Sequence, residues 1–129
     1  MSVSAGYFRG AVAISLFYVS SPSFRQEVPS VRVGNTLMLA SYLGAASFCI
    51  SYGVNYTDLA DRLSDAFKSD ENLTDDEVTA FQEGRLKGEL GLLYSPEAGR
   101  YINLPLETAD VSQACSIAHQ QVIKLSKLK

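Results

Sequence analysis

The 129-residue sequence contains no tryptophan, a single histidine and only two cysteines. One histidine excludes a metal site built on a histidine pair, and two cysteines allow at most one internal disulfide. Basic residues are also few, with 11 lysines and arginines against 14 aspartates and glutamates, a formal net charge of −3. Because nucleic-acid binding depends on a basic footprint, we expect no nucleic-acid partner.

Recognisable catalytic motifs are absent as well. The sequence has no phosphate-binding glycine loop, no dinucleotide fingerprint and no Ser–His–Asp arrangement. Its 47% hydrophobic and 19% charged residues are typical of a globular domain, and its length fits one domain. These features favour a protein that is not an enzyme and uses no cofactor.

Residues 1–23 have the arrangement of a secretory signal peptide. Arg9 precedes an uncharged, mainly apolar run over residues 10–19, and Ser21 and Ser23 form a small-x-small cleavage pattern. Export machinery reads this order of regions, and the run is too short to span a membrane. We predict export to the periplasm or the extracellular space, with 24–129 as a single helical domain. The alternative is a cytoplasmic protein in which the run is a strand or helix of the domain itself.

Residues 35–53 contain no charged residue, and their apolar side chains recur at helical spacing. A helix that is apolar nearly all round is buried, either in a protein core or in a bilayer. Asn35 or Thr36 is expected to cap its start and Gly53 its end. We predict the central helix of a core and no stable membrane span. The alternative is a membrane-associated protein with 34–57 as a partial span.

The remainder of the chain predicts further helices packed around this one. Thr57 is the expected N-cap of the second helix, while Thr74 and Glu77 form a capping box at the start of the third. Residues 92–105 are predicted as a short irregular or hairpin connection. The further helices are predicted over residues 58–68, 74–93 and 108–128. The expected fold is therefore all-α, a four-helix orthogonal or bundle-like domain around a buried central helix.

Small residues line one face of the third predicted helix, at Ala80, Gly84, Gly88 and Gly91. Three glycines in a helix cost on the order of 3 kcal/mol relative to alanine, so a compensating contact is expected. We predict close approach of the central helix, which carries its own stripe of small residues. A ligand lying against the bare backbone is the alternative, and it would make the protein a small-molecule binder.

Cys49 and Cys115 both fall on predicted buried faces. An exported protein would join them in a disulfide between two helices, whereas a reducing cytosol would leave two buried thiols. Cys115 and His119 also have the i, i+4 spacing of two metal ligands on one helix face. No four-coordinate set is completed even with Cys49, and no third group completes a Cys–His catalytic dyad. We therefore predict no metal site and no catalytic site.

Residues 58–77 hold eight carboxylates against Arg62 and Lys68. Two helix N-termini and a solvated face account for most of them. Asp75, Asp76 and Glu77 are where we expect a basic protein partner to dock. The leading functional prediction is an exported non-enzymatic binding or interaction protein. A small-molecule or metal-binding protein and a membrane-associated protein are the alternatives.

The run over residues 39–49, followed by Gly-Val-Asn-Tyr at 53–56, resembles small uncharacterised exported helical proteins found mainly in cyanobacteria. The similarity spans residues 35–105 and includes an acidic–threonine helix start and a terminal Tyr-x-Pro. It implies export and a helical fold and brings no assigned chemistry. Those relatives carry a second cysteine where this chain has Ser95, so only Cys115 can take that cysteine's place.

Overall fold

The structure, a computed structural model, describes residues 29–127. The predicted signal peptide lies outside this range. The described chain is mainly helical, with a β-hairpin, and its elements surround a buried first helix. In chain order the elements are α1 (Val31–Cys49), a 3₁₀ turn (Ile50–Tyr52), α2 (Thr57–Lys68), α3 (Asp75–Glu89), β1 (Leu92–Ser95), β2 (Arg100–Asn103), α4 (Leu104–Glu107) and α5 (Val111–Ser126). The predicted all-α class with a central buried helix is confirmed.

Helix α1 begins one turn earlier than predicted. Ser30 is its N-cap, and its hydroxyl accepts a hydrogen bond from the Val33 amide at 3.2 Å. The predicted capping role of Asn35 or Thr36 is wrong, because both lie inside the helix, where the Thr36 hydroxyl donates to the Arg32 carbonyl at 2.8 Å. The predicted C-terminal end is confirmed after the 3₁₀ turn, where Gly53 adopts φ 82°.

Helices α1 and α3 meet backbone to backbone. A Cβ atom on Gly84 would lie 2.7 Å from the Ala40 Cβ, and one on Gly88 would overlap the Ser41 carbonyl oxygen. Gly44 faces the α3 backbone in the same way. The predicted close approach is therefore confirmed. The alternative of a ligand on this glycine face is wrong, because α1 occupies it. We call this contact the α1–α3 seam.

The two helices of the seam run parallel. Arg32 in the first turn of α1 pairs with Glu77 in the first turn of α3, with 3.0 Å between Nη2 and Oε1. Near the other end, the Phe48 ring lies against Gly91, just beyond α3. A parallel arrangement requires a crossover connection, and α2 provides it. Both helix N-termini therefore lie at the same end of the molecule.

Helix α2 packs on the core through two buried residues, Ala60 and Ser64, and through the partly buried Leu59, Leu63 and Phe67 beside them. Thr57 is the first helical residue rather than the predicted N-cap, and its hydroxyl donates to the Asn55 side chain at 2.9 Å. The preceding Tyr56 anchors this start of the helix, because its ring is buried in the core.

The predicted hairpin is confirmed, with β1 antiparallel to β2 and Tyr94 opposite Tyr101. It begins where α3 ends, because Gly91 adopts φ 85° and stops the helix short of the predicted residue 93. The short α4 was not predicted, since one helical turn has no periodicity to detect. Helix α5 starts at Val111 rather than 108 because Asp110 caps it.

A disulfide joins the C-terminal end of α1 to α5. Cys49 and Cys115 lie with their Cα atoms 5.7 Å apart, and both side chains are 0% exposed. The predicted pairing is thus confirmed. With the cysteines 66 positions apart in the sequence, the bond stabilises the fold by about 4 kcal/mol in the chain-entropy model.

Within residues 29–127, one helical stretch is long and apolar enough to cross a membrane: Val31–Tyr52, with a mean hydropathy of 1.4. The fold buries 56% of its most apolar window. Helices α3 and α5 and strand β1 all pack on this stretch. Its apolar character is thus accounted for by its place at the centre of the domain.

Candidate functional site

An open groove of about 680 Å³ lies at the end of the molecule where α1 and α3 begin and the hairpin turns. Its volume is within the range of sites that bind small ligands or peptide side chains. Leu37, Ala80 and Tyr94 are buried beneath it as a small apolar cluster. The residues that line its polar walls are Ser30, Asp76, Thr79, Glu83, Arg100 and Tyr101.

Two tyrosines form the aromatic part of this groove. The Tyr94 and Tyr101 rings meet edge to face with centroids 5.2 Å apart. The Tyr101 hydroxyl donates to Glu83 Oε2 at 2.9 Å, and the Lys87 ammonium lies 5.8 Å from the Tyr101 ring centroid. Burial and the Glu83 carboxylate raise the pKa of Tyr101, so its hydroxyl stays a neutral donor at physiological pH. The ring is therefore fixed from both its face and its hydroxyl.

The charged side chains that line the groove leave it with an excess of negative charge. Arg100 is paired with Glu107, with 3.1 Å between Nη2 and Oε1, and this hydrogen bond raises the pKa of Arg100. Its positive charge is thus balanced by a carboxylate that does not line the groove. Asp76 and Glu83 are the carboxylates on the α3 wall. The groove consequently has an acidic wall and an aromatic floor.

The predicted docking trio divides into two exposed side chains and one buried one. Asp75 and Asp76 are exposed in the first turn of α3. Glu77 is only 6% exposed, and it accepts hydrogen bonds from the Thr74 amide at 2.9 Å and from Arg32 at 3.0 Å. The Thr74 amide, with help from the Arg32 charge, lowers the pKa of Glu77. Glu77 is thus used within the fold, and only Asp75 and Asp76 present their carboxylates to a partner.

In the structure, Cys115 can act neither as a metal ligand nor as a nucleophile paired with His119, because it is part of a disulfide. Its sulfur is bonded to that of Cys49, so no thiolate is available to His119 one turn further along α5. The His119 ring instead stacks on Tyr56, with centroids 5.0 Å apart and planes 7° apart. Among residues 29–127, no group of three or more His, Cys, Asp or Glu side chains is placed to hold a metal ion.

The groove itself was not predicted from the sequence. The hairpin signal placed Tyr94 and Tyr101 near one another, but only the packing of the hairpin on α1 and α3 brings them to Glu83. The Arg100–Glu107 pair was also not predicted. It joins the start of β2 to the end of α4, and the hydrophobic periodicity of the sequence does not indicate contacts between two such short elements. Comparison with family models, curated proteins and solved structures yields no match to this chain.

Proposed function

We propose that this chain is an exported non-enzymatic binding protein that engages a basic protein partner at the acidic wall of the groove. The observation that carries the proposal is the juxtaposition of Asp76 and Glu83 with the tyrosine pair in one open groove, with Asp75 exposed beside it. A lysine or arginine side chain of the partner would meet the Asp76 and Glu83 carboxylates at the wall, while Lys87 already lies over the Tyr101 ring. Carboxylates that can accept charge-assisted hydrogen bonds are favourable surroundings for a cation.

The disulfide supports the export part of the proposal. Both cysteines of the chain are joined and fully buried. Disulfides form and persist in the periplasm and outside the cell, and they are rare in the reducing cytosol. The predicted signal peptide and the resemblance to exported helical proteins agree with this compartment.

The non-enzymatic part of the proposal is supported by how the reactive side chains are used. Cys115 is held in a disulfide, and the ring of His119, the single histidine of the chain, is stacked on Tyr56. A nucleophile with an activating base needs these side chains in a different arrangement. Binding rather than catalysis is the function that the described side chains serve best.

The partner is tested by neutralising the exposed carboxylates of α3. We expect the double variant Asp75→Asn, Asp76→Asn to lose the partner retained by the wild-type protein in affinity purification from the native compartment. The matched control is Asp61→Asn with Asp65→Asn, which removes the same charge from the exposed face of α2. Equal retention by both variants, or equal loss, contradicts a docking site at the start of α3.

The compartment is tested by the intact mass and thiol content of the protein purified from its native source. We expect a chain that lacks the signal peptide, is two hydrogens lighter than its reduced form and reacts with no thiol reagent before denaturation and reduction. A full-length chain with two reactive thiols contradicts export.

A further inference from the structure

Helices α2 and α3 leave a second open groove between them, which we call the α2–α3 groove. Two adjoining cavities form it, with volumes of about 440 and 250 Å³, and they share Lys68, Phe81 and Gln82. The Phe67 and Phe81 rings are stacked along it, with centroids 4.3 Å apart and planes 11° apart. The groove therefore has an aromatic base held in place by the contact between the two helices.

The walls of the α2–α3 groove are apolar side chains that remain open to solvent. Val78 is 41% exposed and Leu86 is 64% exposed, and both lie on the side of α3 that lines the groove. Leu73, in the connection between the two helices, completes the apolar lining. Because apolar surface gains free energy when it leaves water, this lining favours an apolar occupant.

Two cations lie beside this apolar lining. Arg85 is half-buried, and its guanidinium donates a hydrogen bond to the neutral hydroxyl of Ser64. Lys68, the last residue of α2, is exposed. Among residues 29–127 neither cation forms an ion pair, although Glu89 also lines the groove. A half-buried positive charge without a carboxylate partner is unfavourable, and an anion bound beside it would offset that cost.

We propose that the α2–α3 groove binds a free medium-chain fatty acid. The carboxylate would pair with Arg85, with Lys68 adding a second positive charge, and the hydrocarbon tail would cover Val78, Leu86 and the stacked phenylalanine rings. A guanidinium can bind a carboxylate through two parallel hydrogen bonds, which fixes the head group. An apolar lining with a few polar groups that orient the ligand is typical of small-molecule sites.

This site is separate from the one proposed for a basic partner. Asp76 and Glu83 line the groove beside the tyrosine pair, whereas Val78 and Arg85 line the α2–α3 groove. At 3.6 residues per turn, these two pairs lie on opposite faces of α3. One site favours a cation and the other an anion, so either proposal can fail without the other.

The experiment is isothermal titration calorimetry of the purified protein with octanoate and with octanol, which has the same tail length and no charge. We expect one equivalent of octanoate to bind, and octanol to bind about tenfold more weakly because it lacks the charge-assisted hydrogen bonds to Arg85. Arg85→Gln keeps a donor for Ser64, and it should lower the octanoate affinity about tenfold while leaving the octanol affinity unchanged. The matched control is Lys87→Gln, which removes the same charge from the side of α3 that faces Tyr101 and should bind octanoate as the wild type does.

The apolar part of the site is tested with Leu86→Asp, a substitution at an exposed position that leaves the core intact. We expect this variant to bind neither ligand while keeping the circular dichroism spectrum of the wild type. Absence of octanoate binding by the wild type overturns the proposal, as does equal loss of affinity in Arg85→Gln and Lys87→Gln. If the ligand-free wild type sediments as two copies that Leu86→Asp separates, the groove is an interface between copies and the proposal is also overturned.

Discussion

Helix α1 is held by its two largest helical neighbours, α3 and α5, in opposite ways. Against α3 the side chains are reduced to hydrogen at Gly44, Gly84 and Gly88, and the contact is made by backbone atoms. Against α5 the contact is centred on a covalent bond between Cys49 and Cys115. Added side-chain volume would disrupt the contact with α3, whereas a reducing environment would break the bond to α5. The difference shows that one helix can be buried by geometric fit on one side and by chemistry on the other.

Breaking the α5 side is expected to have the largest effect. The double variant Cys49→Ala, Cys115→Ala should lower the free energy of unfolding by about 4 kcal/mol, because the unfolded chain regains the freedom of a long loop. Denaturant unfolding measures this, and reduction of the wild type should give a similar loss. A loss below about 1 kcal/mol would show that packing alone holds α5 on α1.

Breaking the α3 side is expected to have the next largest effect. Gly88→Ala places a methyl group against the Ser41 carbonyl and should destabilise the protein by about 3 kcal/mol. Gly34→Ala is the matched control, since a Cβ there meets nothing within 4 Å. Because alanine is the better helix former, this control should gain up to about 1 kcal/mol. Equal effects of the two substitutions in denaturant unfolding would remove the argument for a seam built on glycine.

A smaller loss of stability is expected from a substitution at the N-cap of α3, where the seam begins. Thr74→Ala removes the hydroxyl that accepts from the Glu77 amide at 3.1 Å. Loss of such an N-cap should cost about 1 kcal/mol in the same unfolding measurement. Thr79→Ala, on an exposed position of the same helix, should leave stability nearly unchanged. A cost at Thr79 equal to that at Thr74 would contradict the capping box as the origin of the effect.

The smallest expected effect is on the pH dependence of stability. The Thr74 amide and Arg32 lower the pKa of Glu77 below its ordinary 4.5 in the folded state. The unfolded chain therefore binds this proton first, and the stabilisation is complete above pH 4.5 and lost as pH falls through the lowered value. Glu77→Gln should flatten this part of the profile of thermal unfolding against pH. If Glu77→Gln leaves the slope of thermal stability against pH unchanged, the hydrogen bonds of Glu77 to Thr74 and Arg32 do not contribute to the pH dependence of stability.

The elements that the sequence predicted well are those specified by local chemistry. The capping box at Thr74, the end of the central helix at Gly53 and the hairpin each depend on residues close together in the chain. The glycine face of α3 also gave a correct long-range prediction, because helical glycines are costly unless another backbone approaches them.

The features that the sequence did not predict depend on contacts between distant segments. Helix α1 is capped by Ser30 rather than by Asn35 or Thr36. All three are suitable N-cap residues, so the local sequence alone does not indicate which of them is used. Helix α2 starts at Thr57, directly after the buried Tyr56, whose hydroxyl donates to the Tyr42 carbonyl at 2.7 Å. The ion pair between Glu77 and Arg32 joins residues that are 45 positions apart in the chain. The groove and its tyrosine pair follow from the same tertiary packing.

The position of the disulfide has a consequence for proteolysis. The bond closes a ring that contains α2, α3, the hairpin and α4, whereas the rest of α1 precedes Cys49 and lies outside the ring. A protease that cuts the exposed connection at residues 69–72 therefore leaves two fragments that remain covalently joined. In the oxidised state, a nicked molecule keeps all its helices attached and runs as two pieces only after reduction. A cut in this connection thus separates no helix from the domain until the disulfide is reduced.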